Sequence, residues 1–311
     1  MLLIFCGTPR FAVPTLEQLV ASAHQVALTV TQPDRPRGRG MELAISPVKE
    51  SALKLGIPVV QPDKIKSNEE FRQQLAGIRP DAIIVVGYGR IIPQWMIDLP
   101  RFGNLNLHAS LLPKYRGAAP IQWAIALGET VTGVTTMRID AGLDTGDILM
   151  QSELPILPED TAVTLAPKLA ELGARLMVET LDAVQNAALQ PTPQDNSRAT
   201  MAPILTRDDG RIDFHRSAAE IRNRLRGFQP WPGAHTLFRG RHLQIHAARQ
   251  VERSLALVPG ELLTESAQLF VGCGQGTAIE LIELQMEGKR RMLVADFLNG
   301  YRPFPGEKLG E

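Results

Sequence analysis

The chain has 311 residues, 44% hydrophobic and 21% charged, which favours two folded units and excludes a disordered or fibrous protein. Its 33 basic and 33 acidic residues cancel, so bulk charge excludes nothing and argues for nothing; a nucleic-acid partner must be argued from where the basic residues sit. The opening MLLIFCGTPR is too short and too poor in basic residues for a signal peptide. No stretch approaches the roughly 20 apolar residues of a membrane span, and Cys6 and Cys273 form no CxxC pair. The expectation is a cytoplasmic protein with no membrane contact, no disulfide framework and no zinc site.

In chain order, residues 2–6, 25–31, 58–60, 81–87, 103–108, 131–137 and 147–154 read as strands. Residues 15–22, 47–55, 68–76 and 120–127 between them have helical spacing. AIIVV, at 82–86, is apolar on both faces, as a central strand covered on both sides must be. Such alternation predicts an α/β domain with a doubly wound, mainly parallel sheet, whose ligands gather beyond the carboxyl ends of the strands. Residues 159–188 form one long helical stretch that Pro167 should kink or divide. Residues 190–206, which include QPTPQDNSRATMAP, have no periodicity and read as a linker between a domain at 1–189 and another at 207–311. After a helix at 217–226 come short strands at 234–238, 242–251, 260–263, 268–272 and 277–283, the pattern of a small β-barrel or sandwich.

Two clusters can carry chemistry. In GNLNLHASLLPKYRGAAP, Asn106 and His108 stand two apart near a strand end, so their side chains share a face. Acyl transfer to an amine needs such a pair: a donor to steady an oxyanion and a group of near-neutral pKa to relay protons. In MRIDAGLDTGDIL, Gly142 and Gly146 let the backbone turn around Asp144, which can orient an imidazole or hold a water. Asp140 and Asp147 are nearby carboxylates suited to turns or caps. Gly7-Thr8-Pro9 follows the first strand but lacks GxGxxG spacing, so a dinucleotide site is weakly supported.

Asn-x-His followed by Ser110-Leu111-Leu112-Pro113 and Tyr115-Arg116-Gly117, with Leu143-Asp144-Thr145-Gly146 downstream, resembles the folate-dependent formyltransferases. The resemblance implies a Rossmann-like catalytic domain, 10-formyltetrahydrofolate as donor, no metal, and Asn106, His108 and Asp144 as the catalytic set. It also implies that Ser110, Leu111, Leu112 and Pro113, with Val86, Gly87 and Tyr88, line the pocket for the pterin ring.

Two basic features bear on the acceptor. Arg35, Arg37 and Arg39, spaced by proline and glycine, read as an exposed arm suited to phosphates and base edges. From Arg211 to Arg249 there are eight arginines against Asp213 and Glu220 only, which predicts a basic surface on the second domain. With these features the chain is similar, over its whole length, to the branch of the family that formylates methionine on initiator tRNA. That branch implies an OB-like second domain and a basic loop entering the acceptor stem, and nothing in the sequence demands more than a monomer. Met41 and Glu42 stand where lysines often follow that loop. An amino-sugar N-formyltransferase would share the catalytic set but would have no use for the arginine arm.

Overall fold

The computed structural model describes residues 1–37, 42–253 and 255–310. The chain runs β1 (Leu2–Gly7), α1 (Val13–Ala21), β2 (Gln25–Val30), a hairpin of β3 (Arg35–Arg37) and β4 (Glu42–Ala44), α2 (Pro47–Lys54) and β5 (Val59–Val60). It continues through α3 (Glu69–Ile78), β6 (Ala82–Val86), α4 (Gln94–Ile97), β7 (Asn104–His108) and α5 (Pro120–Ala126). Then come β8 (Val131–Arg138), β9 (Ile148–Pro155) and α6 (Ala162–Gln185). Two units separate by their internal contacts. The first comprises Met1–Pro120, Val131–Pro155 and Ala166–Ala202; the second comprises Ile121–Thr130, Ile156–Leu165 and Pro203–Glu311.

In the first unit seven strands pair in the order β5-β2-β1-β6-β7-β8-β9. The pairs from β5 to β7 are parallel and the last two are antiparallel, the mainly parallel sheet expected from the alternation. Ile4, Cys6, Ile83 and Val85 pack with Phe71 and Leu75 of α3 and Met96 of α4. Their alternates Leu3, Phe5, Ile84 and Val86 are equally inaccessible, so both faces of the sheet are covered. The helices start where side chains satisfy free amides: Ser46 accepts from the Lys49 amide ahead of Pro47, and Asn68 accepts from the Phe71 amide. Helix α6 backs β7 so closely that a Cβ on Gly173 would lie 2.6 Å from Leu107 Cδ2. Pro167 does not divide α6. It stands in the second turn on an exposed face, where the one lost hydrogen bond leaves a carbonyl open to water.

The arginine arm is not wholly irregular, because Arg35–Arg37 pairs with Glu42–Ala44 in an antiparallel ladder. Arg39 and Met41 lie outside the described residues. At the base of the hairpin Asp34 accepts from Lys49 Nζ and from Gln61 Nε2, bonds that hold its carboxyl below the usual range.

The second unit contains α7 (Ala218–Gly227), β10 (Ala234–Phe238), β11 (Arg241–Gln250), β12 (Leu262–Glu265), β13 (Gln268–Gly272), β14 (Ala278–Met286), β15 (Met292–Leu293) and α8 (Val294–Tyr301). A Ser217–Glu220 capping box opens α7. The antiparallel order is β10-β11-β14-β13-β12, with β15 on β14, and register shifts in β11–β14 let these long strands coil. The segment Glu307–Gly310 bridges the two edges of this path. The Leu262 amide donates to Glu307 O (2.8 Å), the Leu309 amide to Gly260 O (2.9 Å) and the Gly310 amide to Leu237 O (2.9 Å). The β domain expected from sequence is therefore present, with α8 as an addition whose Phe297 is fully buried. Cys6 and Cys273 are both buried and unbonded to each other.

The bridging segment is anchored by Arg239, whose Nε and Nη2 donate to the two Glu307 carboxylate oxygens at 2.6 and 3.0 Å. That pairing holds the Glu307 carboxyl below its ordinary value. A depressed carboxyl contributes stability that is complete above the unfolded value of about 4.3 and is lost as pH falls through the folded value. Arg239→Ala strands a carboxylate that is 7% exposed. It should cost about 2 kcal/mol at neutral pH, reduced from the fully buried case because Arg239 itself is partly solvated. Thermal melts at pH 7 and pH 3.5 check this, and a gap between wild type and variant that fails to narrow in acid would contradict it.

Candidate active site

Strand β7 lies between β6 and β8, with Asn106 opposite Val85 and Met137 and His108 opposite Thr135. The two-residue period puts both side chains on one face. His108 is buried and Asn106 half-buried. His108 Nε2 is 2.8 Å from the Tyr115 carbonyl oxygen. A carbonyl can only accept, so Nε2 carries a proton and Nδ1 is the nitrogen turned to the site. Nδ1 lies 3.6 Å from Asp144 Oδ2, too long for a hydrogen bond and within ion-pair range once the ring is doubly protonated. Asp144 Oδ2 also accepts from the Gly117 amide at 2.8 Å. Among the described residues the Asn106 amide makes no hydrogen bond, so its donors remain available to a reacting oxygen.

Tight backbone holds these groups. Tyr115 has φ 62°, a left-handed conformation that aims its carbonyl at His108, and Asp144 has φ 53°. A Cβ on Gly146 would lie 2.0 Å from the Arg138 carbonyl oxygen, so only glycine lets the Asp144 loop return this close to β8. Asp140 is a turn residue: its Oδ1 accepts from the Gly142 amide (3.0 Å) and the Thr145 hydroxyl (2.7 Å). The loop after β7 is pinned from β8 and β9. Thr135 Oγ1 donates to Ser110 O (2.6 Å) and accepts from the Leu112 amide (3.1 Å), while Gln151 Nε2 donates to Leu112 O (2.9 Å).

Of the residues expected to line a ligand pocket, Ser110 is inaccessible and its hydroxyl donates to Lys114 O at 2.6 Å. Leu112, Val86 and Tyr88 are also core residues. These four have almost no surface of their own, backbone included, whereas Leu111 and Pro113 are half-buried and Gly87 is exposed. Burial pushes the Tyr88 phenol well up, so it stays neutral. Among the described residues no group of three His, Cys, Asp or Glu is placed to hold a metal, and no helix is long and apolar enough to cross a membrane.

Residues 1–181 match the family model described as formyl transferase, and residues 204–302 match that of the formyl transferase C-terminal domain. The chain belongs to the formyl transferase family. It is 66% identical over 310 residues to the methionyl-tRNA formyltransferase of Koribacter versatilis, with 100% of this chain and 99% of the relative covered. The methionyl-tRNA formyltransferase of Acidobacterium capsulatum is 63% identical over 310 residues, with 100% of both covered. A sugar 3N-formyl transferase solved in the presence of dTDP and 5-N-formyl-THF shares the fold, with a TM-score of 0.67 at 20% identity over 93% of this chain and 99% of that one.

In this formyl transferase the arginines of the second unit are more occupied than their local sequence suggests. Arg216 pairs with Asp213 and Glu220, Arg222 with Glu159, Arg239 with Glu307 and Arg249 with Glu280. Arg224 donates to Asp209 O and lies over the Phe228 ring, Arg226 donates to Leu157 O and Asp160 O, and Arg241 to Glu287 O. Asp209, Asp213 and Glu220 also act on Arg224, and Glu159 and Asp160 on Arg226, so their charge is partly offset; with Arg211 exposed, the basic area is smaller than the count implies.

Sequence reasoning missed the role of residues 192–202 in this formyl transferase. The Tyr115 amide donates to Thr200 Oγ1 (2.9 Å), the Arg116 amide to Thr200 O (2.9 Å) and the Ala202 amide to Arg116 O (2.7 Å). The stretch read as a linker is a strap along the loop that carries Tyr115 and Gly117. Gly117 admits it, since a Cβ there would lie 2.7 Å from the Ala202 carbonyl oxygen.

Proposed function

We propose that this formyl transferase moves the formyl group of 10-formyltetrahydrofolate onto the α-amino group of methionine carried by initiator tRNA, for translation initiation. The observation that carries this reading is the 66% identity to a methionyl-tRNA formyltransferase over the full length of the chain. The folate donor supplies a formyl carbon already activated on nitrogen. Gly87, Leu111 and Pro113 would touch its pterin ring, with the buried Val86, Tyr88, Ser110 and Leu112 forming the wall behind them.

The residues in place suit such a transfer. A free α-amino group has a pKa of about 8, so a large minority is neutral near pH 7 and able to attack. What remains is placement, stabilisation of the oxyanion and removal of a proton. We assign the oxyanion to the Asn106 amide and to protonated His108. Asp144 sets the state of His108 and helps remove the amine proton. Residues 1–189 form the catalytic domain in this reading, and 207–311 with Arg35, Arg37 and Arg39 engage the tRNA. The enzyme works in the cytoplasm as a monomer.

The test is direct: incubate the protein with labelled 10-formyltetrahydrofolate and, separately, initiator Met-tRNA or a nucleotide-linked amino sugar. Label should pass to Met-tRNA. Label passing only to the sugar would replace the acceptor and remove the tRNA role of the arginine arm.

A further inference from the structure

Gln194 lies outside helix and strand, yet its side-chain amide is fully used. Its Nε2 donates to the carbonyl oxygens of Asp144 (2.9 Å) and Gly146 (2.7 Å), one on each side of Thr145. Its Oε1 accepts from Arg116 Nε (3.0 Å) and Nη2 (2.7 Å). Turning the amide by half a rotation would face NH2 with guanidinium and oxygen with two carbonyls, so the network admits one orientation. Arg116 is itself buried, at 6% exposure, and also donates to Asn196 Oδ1 at 2.9 Å. Hydrogen bonds from a charged donor are about twice as strong as neutral ones, so Arg116 fixes Gln194 firmly.

What this clamp holds is the turn that aims Asp144. With φ at 53°, Asp144 occupies a region that side-chain-bearing residues keep only where their surroundings over-determine it. Two bonds from one amide to the carbonyls of residues 144 and 146 supply that constraint. The carboxylate then accepts from the Gly117 amide at 2.8 Å and stands 3.6 Å from His108 Nδ1.

We propose that Gln194, locked by Arg116, is a positioning residue for formyl transfer, holding the Asp144 turn so that its carboxylate stays on His108. The inference rests on the formyl-transfer reading and extends the site into the stretch between the two sequence-expected domains. A misplaced carboxylate impairs the chemical step more than binding, so the effect falls on kcat.

Gln194→Glu separates this role from simple support of the fold. The variant keeps an acceptor for Arg116 but turns an oxygen towards two carbonyls. Its kcat should fall about tenfold or more, with KM for folate and for Met-tRNA changed less than about threefold and the thermal midpoint nearly kept. Amide exchange of Gly117, whose proton is held by Asp144, should quicken. Gln194→Ala leaves Arg116 short of acceptors and should lose stability as well. Folded Gln194→Glu protein with wild-type kcat and wild-type Gly117 exchange would overturn the proposal. Should the wild-type protein transfer formyl to no amine, the transfer reading fails by itself, and Gly117 exchange alone then decides whether the clamp holds the turn.

Discussion

Asp144→Asn is expected to lower kcat for formyl transfer by on the order of 10⁴-fold while the protein stays folded, the scale found where a carboxylate orients a reacting imidazole. Asparagine tolerates the left-handed conformation at this position, and its side-chain oxygen can still accept from the Gly117 amide. What disappears is the negative charge 3.6 Å from His108 Nδ1. The imidazolium then has no counter-charge, and the amine proton has no nearby base. Steady-state kinetics beside a thermal melt tests this, and a loss of under tenfold in folded protein would take Asp144 out of the chemistry.

Asn106→Ala should cost about 10²–10³-fold in kcat, the usual penalty for removing one oxyanion donor. Its stability effect should be small. The amide has no hydrogen-bond partner among the described residues, so truncation strands no buried group. The kinetic pattern is as informative as the size. A rise in KM with kcat preserved would make Asn106 a ground-state binding residue and leave the oxyanion without its assigned donor.

Where neighbours in sequence are neighbours in space, the fold was legible. AIIVV is apolar at every position because helices cover both faces of β6. Asn106 and His108 share a face because a strand alternates, and Gly146 marks the Asp144 loop because backbone returns close to Arg138 there. Interactions that span long stretches left no local sign. The arginines between 211 and 249 appeared unopposed because Glu159, Glu280 and Glu307 lie outside that window. The 190–206 stretch has the proline and polar content of a linker, and its partners stand far off in sequence, 48 residues away for Gly146 and 85 for Tyr115. Helix α8 escaped notice because it is two turns long and carries Gly300 near its end. The β3–β4 ladder escaped because three-residue strands are too short to show a period.

The strap along the Tyr115 loop also constrains the order in which the first unit can form. The sheet joins strands linked by short helices, but the Tyr115 amide, the Arg116 backbone and the Arg116 side chain meet their partners only when residues 194–202 dock. Closing that longer loop has an entropic cost that is offset only once the strap's hydrogen bonds exist. The turn that carries Asp144 gains its two bonds from Gln194 only with the strap in place, so the proposed centre is complete only once that distant stretch has docked.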